Sequence, residues 1–331
     1  VGNGAFVLSE WNHDEGVVLT RNDNWHRGPA LLDSIEYDIN ADSAIAFLAY
    51  QEGELDVVKL GPAELVQVRG TDLEEQFQAY AQLVTIGIYF NFDYEPLQDV
   101  RVRKALASAI DRLEYAEIVR EGSQVPAFTW VPPGMPGYDP TLGLQYDNAI
   151  DTAKALLADA GYPDGAGLEI DILSADSTTG VLTIEWLKEQ WEKNLGITVT
   201  VTTLDRASYF ELRNAGEYQV TTGGWGADYP DPQNWLPLFR TGGALNTGNF
   251  SNADFDALIV SAETEFDNDL RIQMYLDAQT IMIDQLPFAP MYHQARNILM
   301  QPWVQGMILS SMENNVPGDL FLDKVFIEGR P

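Results

Sequence analysis

Residues 168–201 alternate apolar and polar side chains (168–173), turn helical (181–195), stop at Gly196 and alternate again (197–201). Two period-2 segments joined by a helix of that length cannot form a hairpin. They pair in parallel through a crossover, expected to be right-handed. A parallel pair with its helix makes the chain an α/β protein rather than an all-β sandwich or a helical bundle.

The rest of the chain reads in the same way. Residues 6–8 and 17–19 flank the polar turn Asn12-His13-Asp14-Glu15-Gly16, a hairpin. Residues 35–39 alternate as a strand, 41–52 are helical by the spacing of Ile45, Leu48 and Ala49, and 55–60 return as a strand, suggesting a second β-α-β unit. Asp99 is placed to cap a helix whose Val102, Ala105, Leu106, Ala109, Ile110 and Leu113 form one apolar face. Pro126, Pro132, Pro133 and Pro136 keep residues 125–138 extended. Asn148 opens a helix that turns Ala153, Leu156, Leu157 and Ala160 inward and ends at Gly161 and Pro163. Residues 251–254 open another helix through Leu258 and Ile259, a further one runs from about 270 to 284, and 298–300 and 304–309 close the chain as strands.

Composition narrows the function. Asp and Glu number 50 against 19 Lys and Arg, for a net charge of −31. Such a field repels nucleic acid and anionic membranes and favours cationic ligands, although solubility or adaptation to a salty environment is the preferred reading of the acidity. The absence of cysteine removes disulfides, thiolate metal sites and cysteine nucleophiles. His13, His26 and His293 lie far apart with no zinc-ligand spacing, and no Gly-x-Ser-x-Gly elbow or phosphate-binding loop occurs. Asp267-Asn268-Asp269 lacks the glycine and distal glutamate of a calcium loop and reads as a solvated inter-helix turn. No cofactor and no enzymatic activity are expected.

One stretch stands out as a candidate site: Gly223-Gly-Trp-Gly-Ala-Asp-Tyr-Pro-Asp-Pro-Gln-Asn-Trp-Leu236. Residues 217–222 before it read as a strand, so Trp225 and Asp228 are expected where a strand ends, the usual place for ligands in open α/β sheets. An apolar ring beside a fixed negative charge suits a ligand that carries an amine next to apolar bulk. The alternative is a proline-rich surface loop in which Asp228 caps the turn and Trp225 packs in the core.

The motif Gly-Trp-x-x-Asp-x-x-Asp-Pro resembles the signature turn of the peptide/oligopeptide-type (family 5) solute-binding proteins of ABC importers. Val1-Gly-Asn-Gly with Leu19-Thr-Arg-Asn-Asp-Asn-Trp-His, Tyr89-Phe-Asn-Phe-Asp, Leu97-Gln-Asp-Val-Arg-Val-Arg-Lys-Ala-Leu-Ala-Ser-Ala-Ile-Asp-Arg, Tyr146-Asp-Asn-Ala and Pro287-Phe-Ala-Pro-Met-Tyr continue the likeness in the family's order. The resemblance implies a two-lobe periplasmic-binding-protein-like α/β fold (type II, cluster C-like) that closes on ligand like a hinge, with the N-terminal part of the first lobe missing. It implies residues 1–88 in the first lobe, 89–296 in the second and 297–331 returning to the first.

The resemblance further implies a receptor, periplasmic or extracellular and monomeric, tethered to the membrane through its missing N-terminus, that hands a peptide or amine-bearing small solute to an ABC permease. A nickel chelate or an oligosaccharide is the alternative cargo, and an extracellular hydrolase the alternative class. By residue, Asp228 is implied as the partner of the ligand ammonium and Trp225 as an apolar wall. Tyr89 and Asn91 border the family's cleft. Trp130, Tyr229 and Asn249 are further candidate contacts, each with a packing or turn role as its alternative. Thr222 stands where some relatives carry an arginine for the ligand carboxylate, so that charge has to come from elsewhere or be dispensed with.

Overall fold

The structure, a computed structural model, describes residues 2–39, 42–313 and 317–330. Val1 of the N-terminal motif and Ala41, expected to open the first helix, lie outside them, as does the end of the chain at residue 331. The elements run β1 (Phe6–Asn12), β2 (Gly16–Arg21), β3 (Ser34–Asp38), α1 (Ser43–Gln51), β4 (Val57–Lys59), α2 (Pro62–Val68) and β5 (Phe77–Phe90). Next come α3 (Val100–Ser108), β6 (Val125–Pro126), α4 (Ile150–Asp159), β7 (Glu169–Ala175), α5 (Thr178–Leu195), β8 (Thr198–Leu204), α6 (Arg206–Ala215) and β9 (Val220–Gly226). Helices α7 (Ala253–Thr264) and α8 (Asn268–Gln285) lead to β10 (Phe288–Met300), β11 (Val304–Gln305) and β12 (Phe326–Ile327). The contacts divide the chain into two compact units, Val1–Gln82 with Ala295–Pro331, and Leu83–Gln294.

In the first unit β1, β2 and β3 form an antiparallel sheet, and the hairpin read at residues 6–19 is present. The expected β-α-β unit is not. β3 pairs with β2, whereas β4 pairs antiparallel with the end of β10, Val58 opposite Leu299. Alternation marks a strand but carries no information about its partner. Helix α1 is capped by Asp42, whose Oδ1 accepts the Ala44 and Ile45 N–H groups. Its inward face is Phe47 and Tyr50, packed with Val58, Leu65 and Leu299, and not the expected Ile45 and Leu48, which are exposed. The closing strand is shorter than read: β11 spans Val304–Gln305.

The second unit is built on a sheet with strand order β10-β5-β9-β7-β8 and β6 beside β10. β7 and β8 pair in parallel across seven residues, as residues 168–201 require. Helix α5 closes with Gly196 in the left-handed conformation at φ 72°, the C-terminal signal in its expected role. Trp191 of that helix is fully buried and donates its Nε1–H to the Leu106 carbonyl at 2.9 Å, joining α5 to α3. The long apolar face read from Val102 to Leu113 is interrupted. α3 ends at Ser108, Asp111 caps a short helix at Arg112–Glu114, and Leu113 is exposed. Asp267, read as part of a solvated turn, caps α8 through the Asp269 and Leu270 N–H groups.

Two buried arginines bind this unit together. Arg103 donates to the carbonyls of Leu97, Gln98 and Gln285, and lies over the Phe92 ring, its Cζ 4.0 Å from the centroid. Arg112 donates to the Pro290 carbonyl at 2.6 Å and the Tyr146 carbonyl at 2.8 Å, and pairs with Asp147. A buried cation is stable only when its donors are taken up, and carbonyl oxygens do that here. Desolvation still lowers the Arg103 pKa to about 10.

His293 on β10 is buried and shares a hydrogen bond with Thr85 Oγ1 at 3.0 Å through Nδ1, and burial lowers its pKa to about 3. An unfolded chain takes up that proton near pH 6.5. His293 therefore makes stability fall as pH drops through the window from about 6.5 to 3. In imidazole NMR the His293 resonance is expected to stay neutral down to pH 5, and His293→Gln should flatten the acid limb of the stability profile; a midpoint near 6.5 in the folded protein would count against it.

Candidate functional site

The site is built on β9. One edge of this strand pairs antiparallel with β5 along its whole length, from Phe90 opposite Val220 to Val84 opposite Gly226. The other edge pairs in parallel with β7 only at Val220 and Thr221. Residues 222–226 thus carry no strand on that second edge among the described residues. Glycine at 224 is a steric necessity, because a Cβ there would stand 2.0 Å from the Thr85 carbonyl oxygen. Trp225, expected where a strand ends, is the sixth of the strand's seven residues, opposite Thr85, and is half-buried. The chain leaves the sheet after Gly226, and Asp228 comes just beyond Ala227, exposed.

Asn234 organises the turn beyond the strand. Its Oδ1 accepts the Trp225 Nε1–H at 3.0 Å and the Asp228 backbone N–H at 2.8 Å, while its Nδ2 donates to Asp228 Oδ2 at 3.1 Å. One buried amide thus orients both the indole and the carboxylate. The backbone between Asp228 and Asn234 is fixed by Asp231, which caps Gln233 N–H and accepts a bidentate pair of 2.8 Å hydrogen bonds from Arg271 on α8. Partial burial pushes the Asp231 carboxyl up, but hydrogen bonds from Arg271 and the Gln233 N–H outweigh it and hold it below the usual range. The two aspartates of the motif therefore differ: Asp231 is committed to Arg271, and Asp228 has no cationic partner among the described residues.

The other candidates are dispersed. Tyr229 is exposed next to Asp228, its hydroxyl bonded to Gln233 Oε1. Tyr89 lies on β5 with its ring edge-on to Phe288 at 4.7 Å and near Phe239. Burial raises its phenol pKa, against the opposing pull of Arg213. Asn91 is fully buried; its Nδ2 donates to the Gly216 and Tyr218 carbonyls at 2.7 and 2.8 Å, and its Oδ1 accepts the Asp93 N–H, so every arm serves the chain itself. Trp130 is buried too, donating to the Trp235 carbonyl at 3.1 Å within a cluster of Trp235, Phe239 and Phe288. Asn249 is exposed with φ 56° and donates to Asp93 Oδ2 at 2.5 Å. A small recess beside Tyr89 is lined by Phe239, Leu245, Asn246 and Phe250 and touches neither Trp225 nor Asp228.

The family model described as "Bacterial extracellular solute-binding proteins, family 5 Middle" matches residues 1–247. The chain belongs to this family. Among family 5 relatives, it is 30% identical to the probable deoxycholate-binding periplasmic protein YgiS of Escherichia coli, over 96% of this chain and 60% of that one. It is also 30% identical to the oligopeptide-binding protein OppA of Bacillus subtilis, over 93% of this chain and 58% of the relative. The solved Escherichia coli murein tripeptide binding protein MppA superposes with a TM-score of 0.81 at 28% identity, covering 98% of this chain and 64% of that one. The α/β architecture is that of the family 5 periplasmic binding proteins. The chain spans about 60% of the length of the curated relatives it matches.

Sequence reasoning singled out Trp225 and Asp228 but not Asn234, Asp231 or Arg271, which hold them. A signal was present in Asp231-Pro-Gln-Asn234, since aspartate before proline followed by a short polar run is turn chemistry. Arg271, forty residues away, gave none. Asn234→Ala should cost about 1–3 kcal/mol in denaturant unfolding, because it strips partners from the Trp225 indole and the Asp228 N–H together. Trp225 fluorescence should shift toward that of a solvated indole, and an unchanged spectrum would argue against the role given to Asn234.

Proposed function

We propose that the full-length protein is the substrate-binding component of an ABC importer and captures a short peptide or amine-bearing small solute at Trp225 and Asp228. The observation that carries this reading is the state of Asp228. Its carboxylate is held in place by Asn234, has no cationic partner among the described residues and sits beside a half-buried indole. A carboxylate needed only to stabilise the turn is already available in Asp231. A ligand ammonium desolvated against Asp228 gains a charge-assisted hydrogen bond, and Trp225 offers apolar area and a cation-attracting ring face.

The unpaired edge of residues 222–226 favours a peptide over other amines. The Tyr209 hydroxyl takes up the Thr222 carbonyl, and an extended chain laid beside residues 224–226 would pair with the backbone there as an added strand does. Tyr229 is offered as a rim contact. Asn91 and Trp130 are not, since their polar atoms are already bonded within the second unit.

The remaining parts of the proposal concern the whole protein: capture outside the cytoplasmic membrane by a monomer tethered through a lipid at its N-terminus, ligand-linked closure, and delivery to a membrane permease. Differential affinity of the closed state for ligand would drive that closure. The relatives named above carry names of binding proteins, which favours capture over turnover.

Calorimetry on the full-length protein tests the ammonium site. Asp228→Asn should weaken peptide binding by about 2–5 kcal/mol, thirty-fold or more in Kd, with the unfolding midpoint little changed. N-acetylation of the peptide should lose a comparable amount with the native protein. Unaltered affinity in both experiments, or preferential binding of deoxycholate over every peptide tried, would remove Asp228 from the proposed role.

A further inference from the structure

One corner of the second unit breaks a local packing rule. Helix α7 passes to α8 through Glu265, Phe266 and Asp267. Asp267 is the N-cap of α8, so Phe266 precedes the cap and Arg271 is the fourth residue of the helix. An apolar residue before an N-cap ordinarily packs against an apolar fourth residue, which covers it locally. Here that position holds Arg271, whose guanidinium is committed to Asp231 and lies over the Tyr275 ring, 5.6 Å from its centroid. Phe266 lacks that partner and is 100% exposed, more than any other large apolar side chain among the described residues.

This exposure is held in place. Glu265 Oε1 accepts the Asp267 N–H at 2.8 Å, and Asp267 Oδ1 accepts the Asp269 N–H at 3.0 Å. The Asp267 carbonyl accepts the Arg271 N–H at 2.9 Å. With the backbone beyond the ring fixed in this way, little freedom is lost when the ring enters a pocket. The surroundings are acidic: Glu263 is paired with Arg240, but Glu265 and Asp269 have no cationic partner among the described residues. Carboxylates at 265, 267 and 269 alternate around a bare aromatic ring. Such a knob repels an anionic membrane or a second copy of an acidic chain, and fits a cationic protein surface with an apolar pocket. The corner is also tied to the candidate site. Arg271, the clamp on Asp231, donates to Asn268 Oδ1 at 3.0 Å as well, so one side chain joins the start of α8 to the turn that carries Asp228.

We propose that Phe266, flanked by Glu265 and Asp269, anchors this unit to a cationic, apolar-pocketed surface of the permease. The inference rests on the receptor reading above and adds the residues by which the second unit meets its partner. Aromatic side chains that fill a pocket carry much of the energy of an interface, and complementary charge around them sets register and association rate.

The test uses the full-length protein and the permease–ATPase complex that it stimulates, in lipid nanodiscs, with ATP hydrolysis and peptide Kd measured side by side. Phe266→Ser should raise the concentration of liganded protein needed for half-maximal stimulation at least about ten-fold, with the peptide Kd unchanged. Phe266→Trp, which keeps an aromatic anchor, should retain most of the stimulation. Glu265→Gln and Asp269→Asn keep shape and remove charge, so each should raise that concentration at low salt by a smaller factor that vanishes at high salt. Native-like stimulation by Phe266→Ser overturns the proposal. An equal loss of peptide affinity in Phe266→Ser also overturns it, by tracing the defect to the ligand site. So does a native dimer that Phe266→Ser converts to a monomer in sedimentation, since the ring then belongs between copies. A native protein that binds peptide yet stimulates no permease overturns the receptor reading, and this inference with it.

Discussion

The candidate site depends on β9 being held along one edge by β5 and released from β7 after Thr221. A strand paired on both sides to its end would bury every backbone group in the ladder and leave nothing for a ligand. A strand free on both sides would not hold Trp225 in place. Pairing on one side fixes the strand's path and twist while leaving part of its second edge outside the ladder, and glycine at 224 is what permits the close approach to Thr85. The turn beyond is then held by Asn234, which aims the indole and the carboxylate, and by Asp231 with Arg271, which fix the backbone just ahead of Asn234.

Charge is used in distinct ways around this strand. Arg103 and Arg112 are structural cations whose hydrogen bonds go to carbonyl oxygens, tying the α3 region to the segment around β10. Their burial would be costly if any donor were left bare. Asp231 and Arg271 neutralise each other at the turn. Asp228 remains, without a charged partner among the described residues, just beyond the end of the strand. In a chain with 50 acidic and 19 basic residues, one more exposed aspartate means little by itself. What distinguishes Asp228 is an orienting amide and a neighbouring ring.

The family 5 relatives named above carry names that cover oligopeptides, a murein tripeptide and deoxycholate, so membership fixes an architecture without choosing a ligand. The choice rests on the side chains that project from the shared frame. In this chain, glycine at 223 leaves room for the Arg213 guanidinium over the strand, against the Tyr89 ring.

Sequence by itself determined many of the elements and the parallel β7–β8 pair, though not β5, α2 or α6. Alternation, helical periodicity, capping aspartates and terminal glycines such as Gly196 are consequences of local geometry, which a chain carries wherever it folds. It also marked Trp225 and Asp228, because glycine, proline and aspartate at fixed spacing leave few backbone paths. Only the tertiary structure decided that β3 and β4 belong to different sheets, that Phe47 and Tyr50 rather than Ile45 and Leu48 face inward, and that Trp130 and Asn91 are spent on packing. Nor could spacing show that Arg271 clamps Asp231, or that Arg213 rests on Gly223. Those contacts join residues far apart in the chain, and pairing across such distances is selected by the burial and charge of the assembled unit, which no local pattern encodes.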